Sequence, residues 1–206
     1  MLSPLHAILD ADVAARAGWS IPDLAQAFLD GGAPLIQIRV KQLPSDAFLQ
    51  LCDVVVELAH PYGATVIVND RADLARLSGA AGVHVGQDDL APAAARTIIG
   101  EHGLLGYSTH TIEQVDAAVQ EPVDYIAVGP IFGTHTKATG YEPVGLDLVA
   151  AAARRAHGRP VVAIGGIVLE TAPAVIAAGA AAVAVISDLL SDGNPSRRVA
   201  AYLRRL

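Results

Sequence analysis

The stretch Thr65–Asp89, TVIVNDRADLARLSGAAGVHVGQDD, contains one full structural unit, and its reading decides the fold. It opens on a β-branched run, Thr65 to Val68, and closes on a second, Gly82 to Val85, each followed at once by polar residues. Short apolar runs of this kind predict strands buried on both faces. Between them a helix is expected to begin near Ala72, and the Gly79-Ala80 pair supplies a helix stop before the second strand. Two strands joined through a helix make a parallel crossover.

The unit recurs along the chain. Further strands are predicted at His6–Leu9, Leu35–Ile38, Leu104–Tyr107, Tyr125–Val128, Val161–Ile164 and Ala182–Val185, which brings the total to eight. Helical patterning lies between them at Ile21–Leu29, Ser45–Ala59, Thr111–Val119, Gly145–Arg155 and Thr171–Ala178. Capping residues are expected at Ser45-Asp46, at Thr111 ahead of Glu113 and Gln114, and at Asp192 to Asn194 before Pro195. The pair Gly-Ala returns at 32–33, 63–64 and 179–180, always between a helix and the next strand. Strand then helix, eight times over, predicts an α/β fold: a single (β/α)8 TIM barrel over residues 1–206, compact at about 26 residues per unit. The alternative, an open doubly wound sheet, lacks support because no GxGxxG or GxxxxGK[ST] follows the first strand.

Composition narrows the function. Of 206 residues 52% are hydrophobic and 17% charged, which fits a large core in one domain. No apolar run reaches the roughly 18 residues of a membrane span, and no basic stretch leads into an apolar signal segment, so a soluble, cytoplasmic protein is expected. Cys52 is the one cysteine, which excludes an intrachain disulfide and a CxxC zinc cluster. A net charge of -7 argues against general nucleic-acid binding, so any bound anion must be held by local groups.

In a barrel of this type the active site lies at the C-terminal ends of the strands, and the polar clusters fall there. The second strand ends in Gln37-Ile38-Arg39-Val40-Lys41; alternation sends Gln37, Arg39 and Lys41 to one face and Ile38 and Val40 to the other. Inward-facing cations need a partner, and a diphosphate is a suitable one. The third strand exits through Asn69-Asp70-Arg71 and the fourth through Gly86-Gln87-Asp88-Asp89. Neighbouring strands lie about 4.8 Å apart, so Asp70 and Asp89 can meet although 19 positions separate them. Such a pair suits Mg2+ with a diphosphate; the alternative is that Asp70 caps the following helix and Asp88 or Asp89 makes a turn. After the fifth strand, Ser108 can donate to a phosphate, and His110 is either an acid or base or a loop anchor. The sixth strand enters a long loop containing Thr134, His135, Thr136 and Lys137, read as a lid or an exposed loop with Lys137 as anion contact. Gly165-Gly166 and Ile186-Ser187 follow the seventh and eighth strands, the habitual phosphate site of this fold. Two anion pockets are therefore expected, and with them a reaction between two phosphorylated small molecules. His6 and His84 are read as packing residues with satisfied ring nitrogens.

The motifs QIRVK, VND, GVHVGQDD, GYSTHT, VGPIFGTHTK, AIGGI and AVIS, in this order, resemble the thiamine-phosphate synthase family over essentially the whole chain. The resemblance implies a transferase. It would join 4-amino-2-methyl-5-hydroxymethylpyrimidine diphosphate to a thiazole phosphate, or its carboxylated tautomer, with release of pyrophosphate. By that likeness Gln37, Ile38, Arg39, Val40, Lys41, Asn69, Ser108 and Lys137 would bind the pyrimidine diphosphate, with Arg39, Lys41, Ser108 and Lys137 serving catalysis. Asp70 and Asp89 would hold Mg2+, and Thr134, His135, Thr136, Gly166, Ile186 and Ser187 would bind the thiazole phosphate. The family mechanism is dissociative: pyrophosphate leaves first and the thiazole nitrogen attacks the resulting cation. Two positions depart from the family pattern, Val40 and Ala81, where an acid is usual. The rival readings are a thiazole tautomerase acting through His110 and a non-catalytic binding protein for thiamine precursors.

Overall fold

Inward and outward positions alternate along every strand, and this alternation builds two hydrophobic layers. The computed structural model describes residues 3–134 and 142–206. Its strands are β1 (Leu5–Asp10), β2 (Leu35–Arg39), β3 (Thr65–Asn69), β4 (Gly82–Val85), β5 (Leu104–Thr109), β6 (Tyr125–Val128), β7 (Val161–Ile164) and β8 (Ala182–Val185). They are parallel and close in chain order, with Leu5 of β1 paired to Val183 of β8. The eight-stranded expectation is met, and each predicted strand matches to within two residues at either end.

The helices are α1 (Ala11–Arg16), α2 (Ile21–Asp30), α3 (Ser45–Ala59), α4 (Ala72–Leu77), α5 (Pro92–Ile99), α6 (Ile112–Ala118), α7 (Gly145–Arg155), α8 (Ala172–Ala177) and α9 (Pro195–Leu203). Helix α2 shows how they pack: Ile21, Leu24, Ala25, Phe28 and Leu29 recur at helical spacing and are all buried. Full burial of a side chain such as Phe28 contributes roughly 1.5–3 kcal/mol. The outer layer between strands and helices takes Ala7, Ile38, Val68 and Val83 among others. Ile8, Leu35, Ile67, Tyr125, Ala127, Val162, Ala182 and Ala184 fill the barrel itself.

Two of the three expected caps form. Thr111 Oγ1 accepts from the Gln114 amide at 3.3 Å, and Asn194 Oδ1 accepts from the Arg197 amide at 3.0 Å. The Ser45-Asp46 expectation is corrected: Pro44 occupies the N-cap with no side-chain bond, and Ser45 is already helical, its hydroxyl accepting instead from Arg71 Nη1 at 3.0 Å. The Gly-Ala turns lie at the bottom of the barrel, as expected. At Gly179 the backbone takes φ +111°, where a Cβ would also stand 2.8 Å from Ala153, so only glycine fits. No helix among the described residues is long and apolar enough to cross a membrane.

Candidate active site

One cavity of about 910 Å³ opens at the C-terminal end of the barrel. Gln37, Arg39, Asn69 and Ser108 line it on one side, and Thr134, Gly166, Ile186 and Ser187 on the other. Residues assigned from sequence to the two expected anion pockets thus line a single space. His135, Thr136 and Lys137 lie outside the described residues. Ile38 and Val40 turn their side chains away from Gln37 and Arg39, as the alternation predicts, and both are buried in the outer layer, which leaves their backbone for a substrate. For the same reason Val40, in place of an acid, joins the core. Ala81, the other departure, is exposed beside β4.

The cations at the end of β2 and just beyond it already have carboxylate partners. Arg39 Nη1 is ion-paired with Asp10 Oδ2, both side chains being nearly out of solvent at 12% and 2% exposure. Asp10 ends β1 and caps α1 by accepting from the Val13 amide at 3.0 Å. No pattern in the sequence singles it out, because an acid between a strand and a short helix reads as an ordinary cap. Lys41 Nζ donates to Asp70 Oδ2 at 2.5 Å.

Asp70 does not cap α4. Arg71 holds that position without a side-chain bond, and Asp70 sits at φ +66° with its amide donating to His84 O at 2.8 Å. A non-glycine residue in the left-handed region carries strain, and such strain gathers at functional sites. Burial, then the carboxylate of Asp89, pushes the Asp70 pKa up, against a smaller pull from Lys41. The two acids therefore meet across β3 and β4. Asp89 Oδ2 also accepts from the Gly86 amide at 2.8 Å, while Asp88 is exposed. Lys41, Asp70 and Asp89 stand beside the cavity rather than among its lining residues.

The floor is aromatic and polar. His84 bridges Tyr125 Oη, 3.0 Å from Nδ1, and Ser108 Oγ, 2.8 Å from Nε2, so its buried ring is satisfied as expected and in addition holds the Ser108 hydroxyl in place. Gly106 leaves the room this requires: a Cβ there would stand 2.1 Å from the Tyr125 ring. His110 Nδ1 donates to Gly129 O at 2.5 Å, and its amide donates to Gln114 Oε1 at 2.7 Å. A carbonyl can only accept, which places the proton of a neutral His110 ring on Nδ1. On the far side Asp188 accepts from Leu169 N, from Arg198 Nη2 at 2.8 Å and from Tyr202 Oη at 2.5 Å. This clasp ties the loops after β7 and β8 to α9.

His6 departs from its expected role. Its Nε2 is buried without a hydrogen-bond partner, and among the described residues no other side-chain nitrogen or oxygen shares that condition. Burial pushes its pKa down to about 4, whereas in the unfolded chain it titrates near 6.5. As pH falls from about 6.5 toward about 4, the unfolded chain takes up a proton that the folded protein refuses. Stability should fall across that window by about 3 kcal/mol, because each tenfold difference in proton affinity between the two states is worth about 1.4 kcal/mol. Urea unfolding at neutral and acid pH should show a smaller loss in His6→Phe than in the wild type; equal losses would clear His6 of the effect.

The sequence and the fold both recur among known proteins. The thiamine monophosphate synthase (TMP-TENI) family matches residues 5–189. Thiamine-phosphate synthase of Acidothermus cellulolyticus is 40% identical over 206 residues, covering 100% of this chain and 96% of that protein. The enzyme of the same name from Koribacter versatilis is 42% identical over 207 residues, with 100% and 96% coverage. Among solved structures, thiamine phosphate pyrophosphorylase from Pyrococcus furiosus superposes with a TM-score of 0.87 at 26% identity, covering 97% of this chain and 93% of that one. A closed parallel barrel, a cavity at its C-terminal mouth and relatives matched from end to end agree, and the chain belongs to the thiamine monophosphate synthase family.

Proposed function

We propose that the cavity carries out thiamine phosphate synthesis. It would transfer the pyrimidinylmethyl group of 4-amino-2-methyl-5-hydroxymethylpyrimidine diphosphate to the nitrogen of a thiazole phosphate or carboxythiazole phosphate. The carbon–oxygen bond to the diphosphate breaks with its electron pair leaving on oxygen, and the thiazole nitrogen then supplies the pair for the new carbon–nitrogen bond. Such chemistry asks the protein for charge and placement rather than for a nucleophile. Arg39, Lys41, Lys137 and Ser108 would hold the leaving diphosphate, with Gln37 and Asn69 beside it. Thr134, His135, Thr136, Gly166, Ile186 and Ser187 would hold the thiazole phosphate. Ile8, Ala127, Val162 and Ala184 form the apolar part of the floor and would keep water from the cation.

The observation that carries this reading is the charge at the rim. Arg39 and Lys41 face Asp10, Asp70 and Asp89, so among the described residues two cations stand against three carboxylates, a formally negative set. A divalent cation reverses that sign. Among the described residues no group of three or more His, Cys, Asp or Glu could hold a metal alone. Mg2+, however, takes one or two carboxylates and completes its shell with phosphate oxygens and water. Asp70 and Asp89 fit that demand, and the ion would neutralise charge on the departing diphosphate. The reading places the protein in the cytoplasm, acting on small phosphorylated substrates.

The test supplies both substrates with and without Mg2+ and measures thiamine phosphate and pyrophosphate. Metal-dependent formation of both is expected. No such product would end the proposal. Isomerisation of carboxythiazole phosphate that is lost in His110→Ala would favour the tautomerase, and binding without conversion would favour a precursor-binding protein.

A further inference from the structure

Among the described residues, the barrel floor contains one buried side-chain nitrogen without a hydrogen-bond partner. His6 lies on β1, its backbone in register with Ala184 of β8, and lines the cavity together with Ile8, Tyr125, Ala127, Val162 and Ala184. The ring is 1% exposed and packs edge-on against Tyr125, with centroids 5.4 Å apart and planes at 84°. That contact fixes the ring but uses no nitrogen. The two nitrogens of His84, on the same floor, are by contrast both engaged. A buried polar atom without a partner costs free energy, so its persistence in a cavity wall marks a place for a ligand atom.

We propose that His6 is a specificity residue that recognises the aminopyrimidine ring through one hydrogen bond at Nε2. This rests on the synthase reading of the cavity. Of the two heterocyclic rings, only the pyrimidine carries edge groups that the reaction leaves free for such a contact. Its edge presents an exocyclic amine, a donor, beside a ring nitrogen, an acceptor, so either neutral tautomer of His6 finds a match. The thiazole ring offers a single nitrogen, whose lone pair must remain available for attack. Burial also keeps the imidazole uncharged at neutral pH, which spares the developing pyrimidinylmethyl cation a like charge beneath it.

Calorimetric titration with the pyrimidine diphosphate and with inorganic pyrophosphate, both in Mg2+, tests the proposal. His6→Phe keeps a ring and removes the nitrogen; it should weaken the pyrimidine diphosphate about tenfold, the effect of one neutral hydrogen bond, and leave pyrophosphate within twofold. His6→Gln, which restores an acceptor and a donor, should recover part of the loss. In steady-state assays the KM for the thiazole phosphate should stay unchanged. Wild-type protein titrated with the analogue lacking the exocyclic amine and with one lacking the neighbouring ring nitrogen gives a check that needs no variant to fold. One of the two should lose about tenfold. Equal loss for pyrophosphate, an unchanged affinity, a changed thiazole KM, or wild-type indifference to both analogues would overturn the assignment. If wild-type protein bound the pyrimidine diphosphate with this His6 dependence yet made no thiamine phosphate, the synthase reading would fail and the recognition would stand.

Discussion

Asp70→Asn and Asp89→Asn should each lower kcat/KM by about three orders of magnitude while leaving the fold intact. The figure follows from asking a metal site for several kcal/mol of leaving-group stabilisation, at about 1.4 kcal/mol per tenfold. Asparagine is chosen for the fold. It tolerates the left-handed backbone that Asp70 adopts at φ +66°, and at position 89 its oxygen can still accept from the Gly86 amide. Stability should move the other way from activity. The raised pKa of Asp70 means that its folded surroundings, burial first and Asp89 next, disfavour the charged form. A group with a raised acid pKa costs the folded state stability once pH rises through that pKa. In metal-free buffer at neutral pH, Asp70→Asn should therefore unfold at the wild-type temperature or above it. An acid that opposes folding and supports turnover is the signature of a site held for its ligand. Asp88→Asn, an exposed neighbour, should keep its rate within twofold. Wild-type rates in both Asp70→Asn and Asp89→Asn would remove the metal from the mechanism.

How far these groups could be read from sequence depends on what reports them. The strands were legible because β-branched runs recur with a stop before each one, and Gly82–Val85 and Val161–Ile164 are matched residue for residue. The approach of Asp70 to Asp89 was legible too, since adjacent parallel strands bring their exits together. The side-chain partners of Asp10 and of the strand histidines were not, although Asp10 stands opposite Arg39 in the β1–β2 register. Asp10 lies 29 positions from Arg39, and no local pattern separates an acid that caps α1 from one that also holds a cation. His84 and His6 occupy equivalent-looking places within strands, and only the fold gives the first Tyr125 and Ser108 and leaves the second with an unsatisfied Nε2. Helices α1 and α5 were not among those expected; α1 follows β1 without an intervening turn residue to mark its start.

Arg39→Met should destabilise the protein by about 3–5 kcal/mol, because it strands a carboxylate that is 2% exposed. It should also slow turnover by about 100-fold through loss of a donor to the diphosphate. The two effects share one residue but have different origins, and a second substitution separates them. Asp10→Asn removes the stranded charge and can still accept from the Val13 amide, so α1 keeps its cap. In the double variant Asp10→Asn/Arg39→Met neither charge remains, and most of the lost stability should return, since exchanging a buried ion pair for uncharged groups is often neutral. Turnover should not return. The cycle formed by wild type, both single variants and the double variant gives the coupling energy of the pair from urea unfolding, and kcat/KM measured on the same four proteins gives its catalytic counterpart. Stability recovered without activity would make Asp10 the partner that holds Arg39 in place until the diphosphate arrives. Additive losses in stability would instead show that the buried ion pair is not an energetic unit, and a double variant with wild-type turnover would take Arg39 out of the reaction.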